Sequence, residues 1–422
     1  MPTDQQRPAE DLIDFVAASP SSYHAATEVA RRLVAAGFTV QREGDPWHSS
    51  PGGHVLVRDG SVIAWRIPEE VVPLAGFRIV GSHTDSPTFK LKPNPDMVRS
   101  GWRQLGVEVY GGPLLNSWLD RELGLAGRMV DTDGATHLVR TGPIMRIPQL
   151  AIHLDRAVND EGVRLDKQQH TQPIWALATD DAGVDQLARS ADLTGATAIG
   201  GFDMYAYDTA RGGFFGSDQQ FLASGRLDNL SSVHASLTAL LDASSHRQIP
   251  VLVAFDHEEI GSETRSGACG PLLSDVLNRI MIGLGLDDDE RHRALAASVC
   301  VSSDAGHAVH PNYPQRHDPV NQPLPGGGPL LKINANQRYA TDAIGSVIWR
   351  RACAEAEVGV QPFVSNNAIP CGSTIGPLTA TRLGITTVDV GVPLLSMHSA
   401  REMCAVADLD ALRRALVAFW RQ

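Results

Sequence analysis

The chain has 422 residues, 43% hydrophobic and 20% charged, values ordinary for a water-soluble globular protein of two or three domains. Its formal net charge of −12 argues against nucleic acid and anionic membrane surfaces as partners, because both need a basic face. No apolar run approaches the ~20 residues of a membrane span. The polar, acidic start "MPTDQQRPAEDLIDF" lacks a signal-peptide pattern. Five scattered cysteines without a C-x-x-C pair suggest neither a disulfide framework nor a thiolate zinc site, so a reduced, cytoplasmic protein is expected.

In chain order, "SSYHAATEVARRLVAAGF" reads as an amphipathic helix. Ser21 or Ser22 can cap it, Ala26, Val29, Ala30, Leu33 and Val34 share one face, and Gly37 can end it. "GFRIVGSHTDSP" gives a short strand over 77–80 that breaks into a polar loop. From about residue 87 to 213, short alternating pieces such as "GVEVYGG" and "THLVRT" stand between turn residues, a β-rich texture. Strands and helices then alternate. "GRLDNLSSVHASLTALLDAS" is a helix with Leu230, Val233, Leu237, Leu240 and Leu241 inward, "IPVLVAFDHEE" and "ITTVDVGVP" are strands, and "DLDALRRALVAFW" is a closing helix. This alternation predicts an α/β domain with a mainly parallel sheet, covering 1–87 plus 213–422 and interrupted by a β-rich insert at 88–212. "PLPGGGPLL" (323–331) reads as loop, and it lacks the G-K-[ST] ending of a phosphate loop.

Five places share one pattern, an apolar strand or turn running into metal-compatible groups. They are "IVGSHTDSP" (His83, Asp85), "GRLDNLSS" (Asp228), "AFDHEEIGS" (Glu258, Glu259), "VSSDAGHAVHPNY" (Asp304, His307) and "GVPLLSMHSAREM" (His398). Each alone has a plainer reading. A histidine at a strand end is more often a hydrogen-bonded structural residue, Asp228 can cap its helix, Asp304 can be a turn residue, and paired glutamates usually lie on a solvated face. Glu258 and Glu259 directly follow a buried-looking strand, where two adjacent carboxylates need a compensating cation. Open α/β sheets form sites beyond the carboxyl ends of their strands, which would gather these segments into one cleft.

The ligand types are His, Asp and Glu without Cys, which suits zinc, manganese or cobalt in a hydrolytic site. There is no H-E-x-x-H. A pair of metals needs a carboxylate bridge, for which Asp228 at a helix start is a candidate. One glutamate of the pair would then bind metal. The other, uncoordinated, would serve as general base. Asp85 can hold the His83 imidazole in its metal-binding tautomer.

With "GSHTDSP", "NSWLDRELGLAGR", "QLAIHLDR", "GRLDNLSS", "AFDHEEIGS", "SSDAGHAVHPNY", "LLKINANQRYATD" and "SMHSAREM" in this order, the sequence resembles the aspartyl aminopeptidase family of dinuclear zinc exopeptidases over nearly its whole length. The resemblance implies an α/β peptidase domain interrupted by a dimerisation domain, a dodecamer built from dimers, and removal of N-terminal Asp or Glu. It implies two zinc ions per subunit, one held by His83, Asp228 and Asp304 and the other by Asp228, Glu259 and His398, with manganese or cobalt compatible at one site. Glu258 resembles the general base and Asp85 its supporting carboxylate. His153 resembles a histidine that reaches a neighbouring subunit's site, or a metal ligand. His307, Lys332 and Tyr339 match substrate-contacting positions, Lys332 being the cation for an acidic side chain. Without the resemblance, Lys332 reads as a solvated lysine and Tyr339 as a core tyrosine.

The expected function is therefore a zinc aminopeptidase acting on peptides with an acidic N-terminal residue. The competing readings are a dinuclear aminopeptidase of broad or non-acidic specificity, a dinuclear deacylase, and an inactive assembly or cargo protein that keeps the fold.

Overall fold

The strand Ile249–Phe255 (IPVLVAF) has no polar side chain and is buried at every position. Successive side chains of a strand point to opposite faces. Here Val251 and Val253 enter one core with the helix Leu272–Gly283, whereas Leu252 and Ala254 enter another with the helices Arg7–Ala18, Ser22–Ala35, Leu227–Asp242 and Val406–Arg421. A strand buried on both faces between helical layers reads as one continuous apolar run, as this one does.

The computed structural model describes residues 6–47, 49–179, 199–243 and 247–422. Contacts divide the chain into two units, Met1–Asp85 with Gly212–Met397 and Glu402–Gln422, and Ser86–Arg211 with His398–Arg401. Among the described residues, the first unit holds a nine-stranded sheet in the order Thr39–Val40, Gly52–Arg58, Ser61–Ile67, Ile249–Phe255, Phe77–His83, Val299–Ser303, Thr386–Gly391, Leu330–Lys332 and Gln361–Phe363. Ile249–Phe255 and Val299–Ser303 flank Phe77–His83 in parallel, with Phe255 opposite His83. Three neighbouring strands therefore end on one side of the sheet. A smaller five-stranded sheet joins Gly213–Phe215, Phe221–Ser224, Glu402–Ala405, Pro393–Leu395 and Gly306–His307.

Among the described residues, the second unit holds six antiparallel strands, in the order Thr136–Arg140, Leu123–Asp131, Ile199–Asp208, Thr88–Arg99, Trp102–Tyr110 and Ile174–Leu177. Phe89, Leu91, Leu105, Val107, Leu125 and Met204 build its core with Trp118. The segment His398–Arg401 packs with this unit although the chain around it belongs to the first. There the Leu114 N–H donates to the His398 carbonyl, and the Ala400 N–H to Ser117 Oγ.

Several expectations are refined. The first amphipathic helix forms over Ser22–Ala35 with Ser21 at its N-cap position, but the Ser21 hydroxyl lies 2.8 Å from His24 Nδ1 and bonds no backbone amide. Val34 is exposed, because that flank of the apolar stripe runs out to solvent at the helix end. The strand expected over 77–80 continues to His83, its ladder against Val253 to Phe255 unbroken. Gly81 permits this, since a Cβ there would stand 2.6 Å from Ile375 Cδ1. The glycine-rich stretch is a loop that closes on the protein's own carboxylate, with the Gly326 and Gly328 N–H groups donating to Asp408 at 2.7 and 2.8 Å. Its last residues, Leu330 and Leu331, are strand rather than loop.

Candidate metal centre

His83 is the last residue of its strand and is 1% exposed. Its Nδ1–H donates to the Asp85 carbonyl at 3.0 Å, which leaves Nε2 as the nitrogen that faces the other carboxylates. Nε2 stands 3.3 Å from Asp228 Oδ1 and 3.7 Å from Asp304 Oδ1. One ligand atom from each of the three lies within 4.8 Å of the others. Glu258 and Glu259 each offer an oxygen within the same distance of His83, and Asp228 and Glu259 are equally close to one another.

Local backbone chemistry puts these groups in place. After Phe255 the strand ends in Asp256 and then His257, whose φ of +65° turns the chain into the single turn Glu258–Ile260. Asp85 holds that turn, its two oxygens accepting the N–H groups of Glu258 at 3.0 Å and Glu259 at 3.1 Å. The sequence suggested Asp85 as a support for His83. It approaches Nδ1 at 3.4 Å, but it also fixes both glutamates. Asp228 sits near the start of its helix in a non-helical conformation (φ −82°, ψ 104°), not as a cap, with its N–H donating to Glu402 Oε2 at 2.9 Å. Asn229 Nδ2 donates to the Ser303 carbonyl at 2.9 Å and ties that helix start to the strand end carrying Asp304. Sequence reasoning passed over Glu402 and Asn229, although both stand inside the quoted motifs.

The electrostatics ask for a cation. Burial lowers the His83 pKa, but Asp228, Asp304 and Asp85 overcome it and hold the ring well above its ordinary value. Burial, with Asp304, Glu259 and Asp85 nearby, pushes the Glu258 carboxyl up to about 9 against the pull of His83. Several carboxylates converging on one imidazole, with no thiolate among them, fit a divalent ion of zinc type.

The remaining sites fall in three groups. Lys332 is 1% exposed, contrary to the plain expectation of a solvated lysine. Its Nζ donates to the Ala305 carbonyl at 2.6 Å and lies 4.0 Å from Asp304 Oδ1. His307 and Tyr339 line a cavity of about 280 Å³ in the first unit together with Phe363, their ring centroids 6.1 and 6.2 Å from that ring. Tyr339 is buried, as a core tyrosine would be. In the second unit, His398 has φ +64° and places Nδ1 3.1 Å from the Gly112 carbonyl, the same tautomer as His83. His153 is exposed there, between exposed Ile152 and Leu154.

A parallel sheet whose strand ends gather one histidine and several buried carboxylates defines a metal-dependent hydrolase. The chain belongs to the aminopeptidase I zinc metalloprotease (M18) family, which it matches over residues 15–420. It is 54% identical over 417 residues to "Probable M18 family aminopeptidase 2" of Streptomyces avermitilis, covering 97% of this chain and 96% of the relative. Among solved structures it resembles a chain of the Ape4 and Nbr1 complex, with TM-score 0.93 and 35% identity over 99% of this chain and 86% of that one. The S. cerevisiae mApe1 dodecamer matches with TM-score 0.86 and 27% identity over 99% of this chain and 98% of that one. The protein is thus an M18-type α/β metalloaminopeptidase, a hydrolase of the zinc class.

Proposed function

We propose that the protein removes the N-terminal residue of peptides, with preference for Asp or Glu, using two zinc ions per subunit and Glu258 as general base. The observation that carries this reading is the buried cluster around His83, whose carboxylates lie too close to ionise together without a cation. His83, Asp228 and Asp304 would hold one ion, and Asp228, Glu259 and His398 the other. Bound there, zinc supplies Lewis acidity and the positive charge that allows Glu258 to ionise.

Glu258 then accepts a proton from the attacking water and passes it to the departing amine. Asp85 keeps Glu258 and Glu259 in register through their amide groups, so the base and its metal-binding neighbour keep separate orientations. His307 and Tyr339, on the cavity wall, are the proposed substrate contacts, with Lys332 beside Asp304.

We further propose a dodecamer assembled from dimers, in which His153 of one protomer serves its neighbour's site. The named dodecamer among the structural relatives supports this. So does the exposed apolar run of Leu150, Ile152 and Leu154 around His153, a surface suited to cover by another chain. A cytoplasmic location agrees with five free cysteines.

The test is a panel of aminoacyl reporters on zinc-loaded protein, with Asp, Glu, Ala and Leu at the N-terminus and an N-acetylated Glu control. The reading expects Asp and Glu to lead in kcat/KM and the blocked substrate to be inert. Equal turnover of all four would leave a broad aminopeptidase, and cleavage of the acetyl group would indicate a deacylase.

A further inference from the structure

The helix Leu227–Asp242 carries Asp228 at its start and has no local cap. The first N–H groups of any helix lack partners within it. Here the N-cap residue is Arg226, in the left-handed region at φ +58°. An arginine side chain has no acceptor to offer those amides, where a serine or aspartate would be the ordinary solution. Asp228 and Asn229 then depart from helical geometry, at φ −82°, ψ 104° and φ −122°, ψ 24°, before the regular turns begin. The missing acceptor comes from a distant strand.

Glu402 opens the strand Glu402–Ala405, which pairs antiparallel with Phe221–Ser224. Ser224 stands opposite Glu402, so this register sets Glu402 beside the chain just before the helix. The Asp228 N–H donates to Glu402 Oε2 at 2.9 Å. Asp228 and Glu402 are 3% and 2% exposed. Two carboxylates this close and out of water repel each other, and a hydroxyl would cap the helix without that cost. Among the described residues, Glu402 is in no group of side chains able to share an ion, whereas Asp228 stands with His83 and Asp304. Glu402 is thus not a ligand but bonds the main chain of one. On the next residue, Asn229 Nδ2 donates to the Ser303 carbonyl at 2.9 Å. That tether holds the helix start to the sheet by itself, which leaves Glu402 to set the aim of Asp228.

We propose that Glu402 is a positioning residue, whose carboxylate fixes the main chain of Asp228 and so aims the Asp228 side chain at the metal centre. This rests on the reading above in which Asp228 is shared by two ions. A shared ligand that loses its aim weakens both ions together. Loss of a charged acceptor from a buried N–H is worth about 10–150-fold in an equilibrium constant. Glu402→Ala should therefore lower zinc affinity by about that factor at each step of binding. Glu402→Gln keeps an oxygen for the Asp228 N–H and removes only the charge, so it should restore most of the affinity.

Chelator competition on the metal-free proteins reads the zinc affinities, and thermal unfolding of the same samples reads stability. Weaker binding of both ions in Glu402→Ala, with most of it recovered in Glu402→Gln, is the expected result. A plain helix cap would lower the unfolding temperature of Glu402→Ala and leave the zinc affinity of the folded protein at its wild-type value, which overturns the inference. A loss in Glu402→Gln as large as in Glu402→Ala also overturns it, because the charge and not the bond would then matter. Should Glu402→Ala fail to fold, Glu402→Leu, which fills more of the same space without an acceptor, is read by the same outcomes. A wild type that binds a single zinc ion defeats the two-ion reading of the preceding section, while the affinity for that ion still decides the role of Glu402.

Discussion

Asp85→Asn tests how the glutamate pair is held. The native carboxylate accepts the Glu258 N–H on one oxygen and the Glu259 N–H on the other, at 3.0 and 3.1 Å. An asparagine has one carbonyl oxygen and one NH2 group, so one of the two amides would face a donor. Losing a hydrogen bond to a charged acceptor costs about 1.5–3 kcal/mol. Spent on the turn that presents both glutamates, this amounts to about a 10–150-fold loss in zinc affinity, which overlaps the range for residues that support metal ligands. The His83 ring keeps its bond to the Asp85 carbonyl, because that bond is main-chain. Chelator competition gives zinc affinity, and kcat measured at saturating zinc separates misplacement of Glu258 from metal loss. The variant should bind zinc more weakly and remain slower when fully loaded. Wild-type affinity together with wild-type turnover would refute the argument that these two amide bonds organise the site.

Two further predictions concern the fold and the assembly. Asp11 accepts a 2.7 Å bond from His234 Nε2 and two bonds from Arg32, and its carboxyl is held down to about 2, with the His234 bond the largest lowering cause. A depressed carboxyl contributes stability above its unfolded pKa that is lost as pH falls through the folded value. Asp11→Asn should thus cost about 1 kcal/mol at neutral pH, after discount for its half-exposed side chain, and the gap to wild type should close between about pH 4 and 2. Urea unfolding across that range checks this, and a gap independent of pH would contradict it. For the assembly, His153→Ala and Glu258→Gln subunits, each nearly inactive, should regain activity when coassembled, because a His153→Ala protomer keeps its own base and borrows a histidine. No recovery despite demonstrated subunit exchange would place His153 in service of its own chain.

The strand ends were legible because each joins a plain apolar run to a metal-compatible group, as in "VLVAFDHEE" and "RIVGSH". The parallel order of those strands then follows from burial on both faces. What the sequence hid depends on residues meeting across long separations. Asp228 is held by Glu402, 174 positions away, and Asp85 holds Glu258 from 173 positions away. No local pattern records either bond. Lys332 reads as solvated because one lysine in "LLKIN" carries no sign of burial, and its partners Ala305 and Asp304 lie in another segment. His398–Arg401 packs with the β-rich unit through backbone and side-chain bonds to residues 114 and 117, which composition cannot reveal.

The central claim is that Glu258 is a base and its neighbour a ligand, and zinc counting combined with turnover of Glu258→Gln tests it most directly. Because the amide of Glu258 and not its side chain is bonded to Asp85, the substitution leaves the turn intact. The account predicts two zinc ions per chain in both proteins, by mass spectrometry of the metal-loaded enzyme, and a kcat for N-terminal Glu hydrolysis lower by about 10²–10⁴-fold in the variant. One zinc per chain in Glu258→Gln would make Glu258 a ligand, and near-normal turnover with both ions bound would place the base elsewhere.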